Sequence, residues 1–307
     1  MCDKRGLEIL KHNPRITKLI EHDKSTPTDK LAETIDYIRR KNKCDKVIDF
    51  CESIEVALSQ HPRSPNYKLP KKERIARFNR NFYEYAFEHA KLPWDGVDLT
   101  PELFFEPHEQ YEIRDEGKRE ASWAIKKNCF NLLIGMSGSG TNKAWPYTEE
   151  LAKKICGNYP DVHIITVGDE RCRLIEPEIP GRVLNLSGRI PMRMSLQLTG
   201  LVDLVIAPDT GITHATGAHG TPLIALLGHN TKECITKHFK NDYSIEADPK
   251  LAPCAPCMFL IYDQKLQCPI HLETGASLCM GEGLPMEQVY ERFQKAYVEL
   301  KQRSKSA

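Results

Sequence analysis

The stretch VDLVIAPDTGITHATGAHGTPLIALLGHN (202–230) constrains the fold more than any other part of the chain. It begins with a short apolar run at 202–206 and closes with a second one at 222–227, and both have the length of a buried strand. Between them lies a helix of small residues at 212–219, which Gly220 ends as a residue in the left-handed conformation would. Strand, helix and strand in this order predict one unit of a parallel sheet.

The turn of Asp209, Thr210 and Gly211 opens this helix and has the residue types of a phosphate site. A glycine allows the backbone to approach a ligand, and the first N–H groups of a helix are free to bind an anion. Ligands bind open α/β sheets at such strand ends. On residue types alone, an alternative is that Asp209 and Thr210 only cap the helix. His214, one turn further on, could help to bind the phosphate or could be structural.

A second strand end offers further phosphate ligands. The buried run at 130–136 leads into Ser-Gly-Ser-Gly at 137–140, and Lys143 follows before a helix that starts near residue 147. A Gly/Ser loop after a strand is often only a turn. A lysine between that loop and the helix can nevertheless reach a phosphate at the same edge of the sheet. Ser139 and Lys143 are therefore candidate ligands.

The motif DTGITHATGAHGTPLIALLG resembles the signature of glycosyltransferase family 9, the heptosyltransferase-like enzymes. The resemblance implies that Asp209, Thr210, Gly211 and His214 hold the diphosphate of a nucleotide sugar. The run KAWP at 143–146 resembles the family's Lys-x-Trp-Pro element, which implies that Lys143 contacts the donor.

Two further donor ligands are implied by the same resemblance. The family has Gly-x-x-x-Glu after the next strand, where a carboxylate can bind ribose hydroxyls. Glu170 is the candidate, ahead of Asp169, although Gly168 precedes it by only two positions; from the residues alone both are equally loop carboxylates. NLSGR at 185–189 resembles the family's Asn-Leu-x-Gly-(Lys/Arg) turn, which implies that Gly188 lies beside the nucleotide base.

The family resemblance implies an α/β fold of the GT-B type, with two Rossmann-like domains that contain parallel sheets. We assign 1–125 to an incomplete acceptor-side domain and 126–307 to the donor domain, which ends in a helix predicted at 286–301. The implied reaction is inverting transfer of a sugar, heptose from ADP-heptose, to a hydroxyl of a glycan, a lipid-linked glycan or a protein. No catalytic metal is expected.

The first half of the chain fits the family pattern least. Strands are predicted at 16–21 and 46–50, one helix at 71–92 and a charged helix at 108–127. The family's first strand and its Gly-Asp loop, which supplies the general base, have no counterpart, so we expect them to be missing ahead of Met1. The catalytic residue is therefore unknown. An alternative function is a nucleotide-sugar-binding fragment or partner protein without catalysis.

Four cysteines form the second motif of the donor half. Cys254 and Cys257 make a CxxC pair, and Cys268 and Cys279 follow within the loop-like segment 253–280. Four thiolates predict a tetrahedral site for structural zinc or iron. The alternatives are a redox CxxC, coincidence, or a metal-cluster protein in which these cysteines carry the function. Family members with a similar Cys-x-x-Cys…Cys-Pro…Cys-Met segment support the metal site by resemblance.

Composition restricts the partners and the location. A net charge of +1 gives no electrostatic case for nucleic acid. No apolar run approaches the ~18 residues of a membrane span, and the N-terminus has no signal-peptide core. We predict a cytoplasmic protein with reduced thiols, with peripheral association at the inner membrane as a further possibility.

Overall fold

The structure is a computed structural model that describes residues 1–23, 28–48, 50, 69–138, 140–259 and 268–306. The described strands are β1 Gln110–Ile113, β2 Gly117–Glu120, β3 Phe130–Gly135, β4 Val162–Val167, β5 Val183–Asn185, β6 Leu204–Pro208, β7 Leu223–Leu227 and β8 Ile245–Glu246. The described helices are α1 Lys4–Leu10, α2 Thr28–Lys41, α3 Lys71–Phe78, α4 Phe82–His89, α5 Thr148–Asn158, α6 Met192–Leu198, α7 Gly211–His219, α8 Lys232–Ile235, α9 Leu278–Gly281 and α10 Met286–Ser306. None of these helices is long and apolar enough to cross a membrane.

Six parallel strands form the central sheet in the order β5-β4-β3-β6-β7-β8. The chain runs outward from β3 to β4 and β5 and then returns to β6 on the other side of β3. This is the strand order of a Rossmann fold, and its switch point lies between β3 and β6. Ligands of such sheets bind at the carboxyl ends of the strands at that point.

The sheet is covered by helices on both faces, which explains why its strands are continuous apolar runs. Every residue of β3, β4, β6 and β7 is buried. One face packs Leu132 and Ile134 against α5 and α10, and Phe293 of α10 is fully buried there. The other face packs Leu133 and its neighbours against α6. The sequence prediction of an α/β fold is thus confirmed, and so is the terminal helix.

The first half contains helices and loops where strands were predicted. Residues 16–20 have no regular structure, and Glu21 forms only an isolated bridge with Cys2. Residues 46–48 and 50 form no strand either, while residue 49 lies outside the described part. Both strand predictions are wrong for the residues that can be described. The domain division at 125/126 stays a prediction.

Two predicted helices also differ. The helix predicted at 71–92 is split into α3 and α4, because the Asn81 side chain caps α4 by accepting from the backbone N–H groups of Tyr83 and Glu84. The helix predicted at 108–127 is instead the antiparallel pair β1–β2 followed by a 3₁₀ turn. Alternate burial along β1 and a positive φ at Asp115 are typical of a hairpin.

Candidate functional site

The loop after β3 and the turn after β6 meet at the switch point of the sheet. A Cβ added at Gly138 would lie 2.8 Å from Cδ of Lys143 and 2.9 Å from Cγ2 of Thr210. The loop therefore lies close to the turn, and a side chain at position 138 would displace the side chains of Lys143 and Thr210. Ser139, the candidate ligand in the same loop, lies outside the described residues.

Asp209 is the centre of a buried polar cluster at this point. Its Oδ2 accepts a hydrogen bond from Asn230 at 2.8 Å and lies 3.4 Å from Nε2 of His229 and 3.5 Å from Nζ of Lys143. Its Oδ1 lies 3.6 Å from Nε2 of His214. The Asp209 side chain is 5% exposed and that of Lys143 only 15% exposed. The structure thus brings Lys143, Asp209 and His214 together, as predicted.

This cluster keeps the Asp209 carboxylate ionised. Burial alone would raise its pKa, but the charge of Lys143 and the contacts of His214 and His229 outweigh burial, so the pKa lies well below its ordinary value. A buried carboxylate with this many partners organises the turn and does not itself bind an anion. His229 and Asn230, which sequence reasoning missed, supply that organisation from the end of β7.

The start of α7 has no side-chain cap, which is the open form in which helix starts bind anions. Thr210 is its N-cap residue but makes no side-chain cap bond, and its Oγ1 has no hydrogen-bond partner among the described residues. The first N–H groups of a helix have no partner within the helix and carry a positive partial charge. The capping-only alternative for Asp209 and Thr210 is not what the structure shows. Gly220 ends α7 at φ +68°, as predicted.

Glu170 and Gly188 lie together at the ends of β4 and β5. Gly188 has φ +61°, and a Cβ added there would lie 2.5 Å from Oε2 of Glu170. Glu170 is exposed and forms ion pairs with Arg114 at 2.9 Å and Arg173 at 2.7 Å. Asp169 instead caps the following 3₁₀ helix through the N–H groups of Arg171 and Cys172. Glu170 and Gly188, the two predicted donor ligands, are thus adjacent. Glu170, however, already pairs with two arginine side chains.

Glu176 is a carboxylate at the same edge that the sequence did not single out. Its Oε1 accepts hydrogen bonds from Thr166 Oγ1 at 2.6 Å and from the Ser187 N–H at 3.0 Å. It lines a polar cavity of about 240 Å³ together with Arg173, Glu178, Asn185 and Arg189. No motif marks Glu176, because its place depends on how the segment 170–182 folds back over β4 and β5.

The four cysteines of the predicted metal site line one cavity. Cys254, Cys257, Cys268 and Cys279 border a space of about 290 Å³ that also contacts Lys71 and Arg74 of α3. Burial raises the pKa of Cys257 to about 12 and that of Cys279 to about 11. Among the described residues, no three Cys, His, Asp or Glu side chains are already arranged as metal ligands. The metal therefore stays a prediction.

A Rossmann-type switch point with an uncapped helix start beside it is the arrangement at which α/β sheets bind nucleotides. Residues 40–256, more than half of the chain, match glycosyltransferase family 9 (heptosyltransferase). The chain belongs to this family of enzymes, as the opening motif predicted.

Three known proteins show how far the similarity extends. Lipooligosaccharide heptosyltransferase 2 of Haemophilus influenzae is 25% identical over 162 residues, which are 48% of this chain and 46% of that protein. Lipopolysaccharide heptosyltransferase 1 of Campylobacter coli is 24% identical over 255 residues, 74% of this chain and 73% of that one. The alignment thus spans about half the length of the first relative. The crystal structure of a family 9 glycosyltransferase from Veillonella parvula has the same fold, with a TM-score of 0.57, 14% identity and coverage of 97% of this chain and 87% of that one.

Proposed function

We propose that this chain binds the diphosphate of an ADP-activated sugar at the switch point and transfers the sugar, heptose from ADP-heptose, to an acceptor hydroxyl with inversion. One observation carries the proposal: Lys143 and the open start of α7 converge at the Asp209 cluster, at the ends of β3 and β6. The names of the relatives support a lipooligosaccharide or lipopolysaccharide acceptor. A lipid-linked acceptor is consistent with a cytoplasmic protein that associates peripherally with the inner membrane.

The chemistry of this reaction requires two things of the protein. The leaving diphosphate gains negative charge, which Lys143 and the N–H groups at the start of α7 stabilise. Asp209 holds Lys143 and His214 in place for that task. The acceptor hydroxyl must also lose its proton to a general base. The resemblance places that base in a Gly-Asp loop without a counterpart in this sequence, so we assign it to no residue.

We propose a separate, structural role for the four cysteines. Cys254, Cys257, Cys268 and Cys279 fit a zinc or iron site because four thiols border one cavity. A metal there would supply no chemistry to the sugar transfer. The metal, held by the four cysteine thiolates, would cross-link the two ends of the loop 253–280.

The test of donor binding compares two lysines. Lys143→Ala removes a charged contact to phosphate and should weaken ADP binding, measured by calorimetry, by about 10- to 100-fold. Lys153→Ala is the control, since Lys153 is exposed and paired with Glu149 on α5. Equal affinity for both variants would contradict the site. ADP-heptose and a lipopolysaccharide core acceptor then test transfer; donor binding without transfer would favour the alternative of a nucleotide-sugar-binding protein.

A further inference from the structure

His214 is held from both sides by residues of opposite halves of the chain. Its Nδ1 lies 2.7 Å from the hydroxyl of Tyr83, and its Nε2 faces Asp209 at 3.6 Å. Asp209 is ionised and can only accept, so Nε2 keeps its hydrogen. In the neutral imidazole Nδ1 is then the acceptor, and Tyr83 is the donor.

Tyr83 is well fixed in this position. It lies in the first turn of α4, which Asn81 caps, and Asn81 is fully buried and also donates to the backbone carbonyl of Cys234. The Tyr83 ring stands edge-on to His214 and packs beside Phe239. Burial raises the pKa of Tyr83 above its ordinary value, so the hydroxyl remains a proton donor at neutral pH.

We infer that Tyr83 is a positioning residue for the donor diphosphate, because its hydroxyl holds the orientation of the His214 ring whose tautomer Asp209 sets. This inference rests on the proposed donor site. His214 is the fourth residue of α7 and lies in the turn whose N–H groups face the anion. Without the Tyr83 hydroxyl, Nδ1 loses its hydrogen-bond donor and the imidazole ring is no longer held on that side. The Nε2–H group then points less often towards Asp209 and the diphosphate, and the anion binds less tightly.

Tyr83→Phe is the direct test, because it removes the hydroxyl and keeps the ring. We expect ADP affinity to fall roughly five- to ten-fold, the size of one neutral hydrogen bond. Tyr85→Phe is the matched control on the same helix. The Tyr85 ring lies beside Arg80, and its hydroxyl makes no hydrogen bond to the described residues. The ADP affinity of Tyr85→Phe should equal that of the wild type. A Tyr83→Phe variant that also binds ADP as tightly as the wild type would overturn the inference.

A double-mutant cycle separates positioning from a general structural role. If Tyr83 acts through His214, Tyr83→Phe has no further effect on ADP affinity in a His214→Ala background. Additive losses in the double variant would instead mean that Tyr83 acts by another route, and would overturn the inference.

The tautomer gives a readout that does not depend on ADP. In protein labelled with ¹⁵N-histidine, long-range proton–nitrogen spectra should show His214 with its hydrogen on Nε2, and the His214→Ala spectrum identifies the signal. In Tyr83→Phe the hydrogen should stay on Nε2, and the ¹⁵N signal of Nδ1 should move to that of an acceptor nitrogen without a hydrogen bond. A wild-type His214 with its hydrogen on Nδ1 overturns the inference even if the variant does not fold. Absence of ADP binding by the wild type contradicts the proposed function instead, and leaves this spectrum to decide what Tyr83 does.

Discussion

Asn230 donates a hydrogen bond from Nδ2 to Oδ2 of Asp209 at 2.8 Å, and both side chains are buried. Asp209 follows β6 and Asn230 follows β7, so the bond joins the carboxyl ends of two neighbouring strands. It also fixes which carboxylate oxygen faces Lys143. The proposed donor site is thus organised by a residue that we do not expect to touch the donor.

Asn230→Ala should lower both stability and donor affinity. The substitution leaves one oxygen of a buried carboxylate without its closest partner, which costs about 1.5–3 kcal/mol of unfolding free energy. Chemical denaturation measures this loss, and calorimetry with ADP should show weaker binding because Lys143 and Asp209 lose their fixed geometry. Asn158→Ala is the control, since Asn158 is an exposed residue that bonds to the Lys154 carbonyl. A stability loss no greater than that of the control would contradict this role.

The sheet of the second half was predictable because its signals are local. Buried parallel strands appear as apolar runs of strand length, and the predicted buried run at 130–136 contains β3. The opening stretch could be interpreted from its residues because the helix start and the Gly220 stop lie in one continuous segment. The proximity of Lys143 to Asp209 was predictable as well, since the carboxyl ends of adjacent parallel strands meet at one edge of the sheet.

The contacts between distant segments could not be predicted. Asn81 caps α4 and also donates to the carbonyl of Cys234, which is a tertiary contact. No motif marks Tyr83, and only the fold shows its hydroxyl on His214. Glu176 has no motif at all. Sequence spacing cannot reveal such residues, because their partners lie far along the chain.

Glu84→Gln should destabilise the contact between α4 and the segment after α8. Glu84 is buried and accepts a hydrogen bond from His238 at 2.9 Å, and Lys237 lies 2.9 Å away. We expect a loss of about 1–3 kcal/mol in unfolding free energy near pH 7. Glu88→Gln is the control on the same helix, because Glu88 is exposed and paired only with Arg80 among the described residues.

The difference in stability between the wild type and Glu84→Gln should depend on pH. Burial alone would raise the pKa of Glu84, but the hydrogen bonds from Lys237 and His238 outweigh it and lower that pKa below its ordinary value. The stabilisation by Glu84 is therefore present above about pH 4.3, the unfolded value, and is lost as the pH falls through the folded value. Denaturation from pH 7 to pH 3 should show the stability difference between wild type and Glu84→Gln shrinking. A difference that grows in acid would contradict this assignment.

Cys268→Ser should remove the proposed metal. We expect about one zinc or iron per wild-type chain by elemental analysis, and a much lower content with a lower melting temperature in the variant. Because burial raises the pKa of Cys257 to about 12, metal binding must release protons, and zinc affinity of the stripped protein should rise from pH 6 to pH 8. Cys44→Ser, at an exposed thiol, is the control. A wild-type protein without metal, or full metal content in Cys268→Ser, would contradict the site.

Gly188→Ala should damage the nucleoside end of the donor site. Gly188 has φ +61°, and a Cβ there would meet the Cα of Glu170 at 2.8 Å as well as its carboxylate. Gly181→Ala is the matched control, because Gly181 has φ +74° but no atom within 4 Å of the added Cβ. Both variants carry the left-handed strain of about 1–2 kcal/mol. Gly188→Ala should lose more stability than this, and it alone should weaken ADP binding, because the backbone of Glu170 must move away from the end of β5. Equal losses in both variants would show that strain alone acts at Gly188, and would remove it from the donor site.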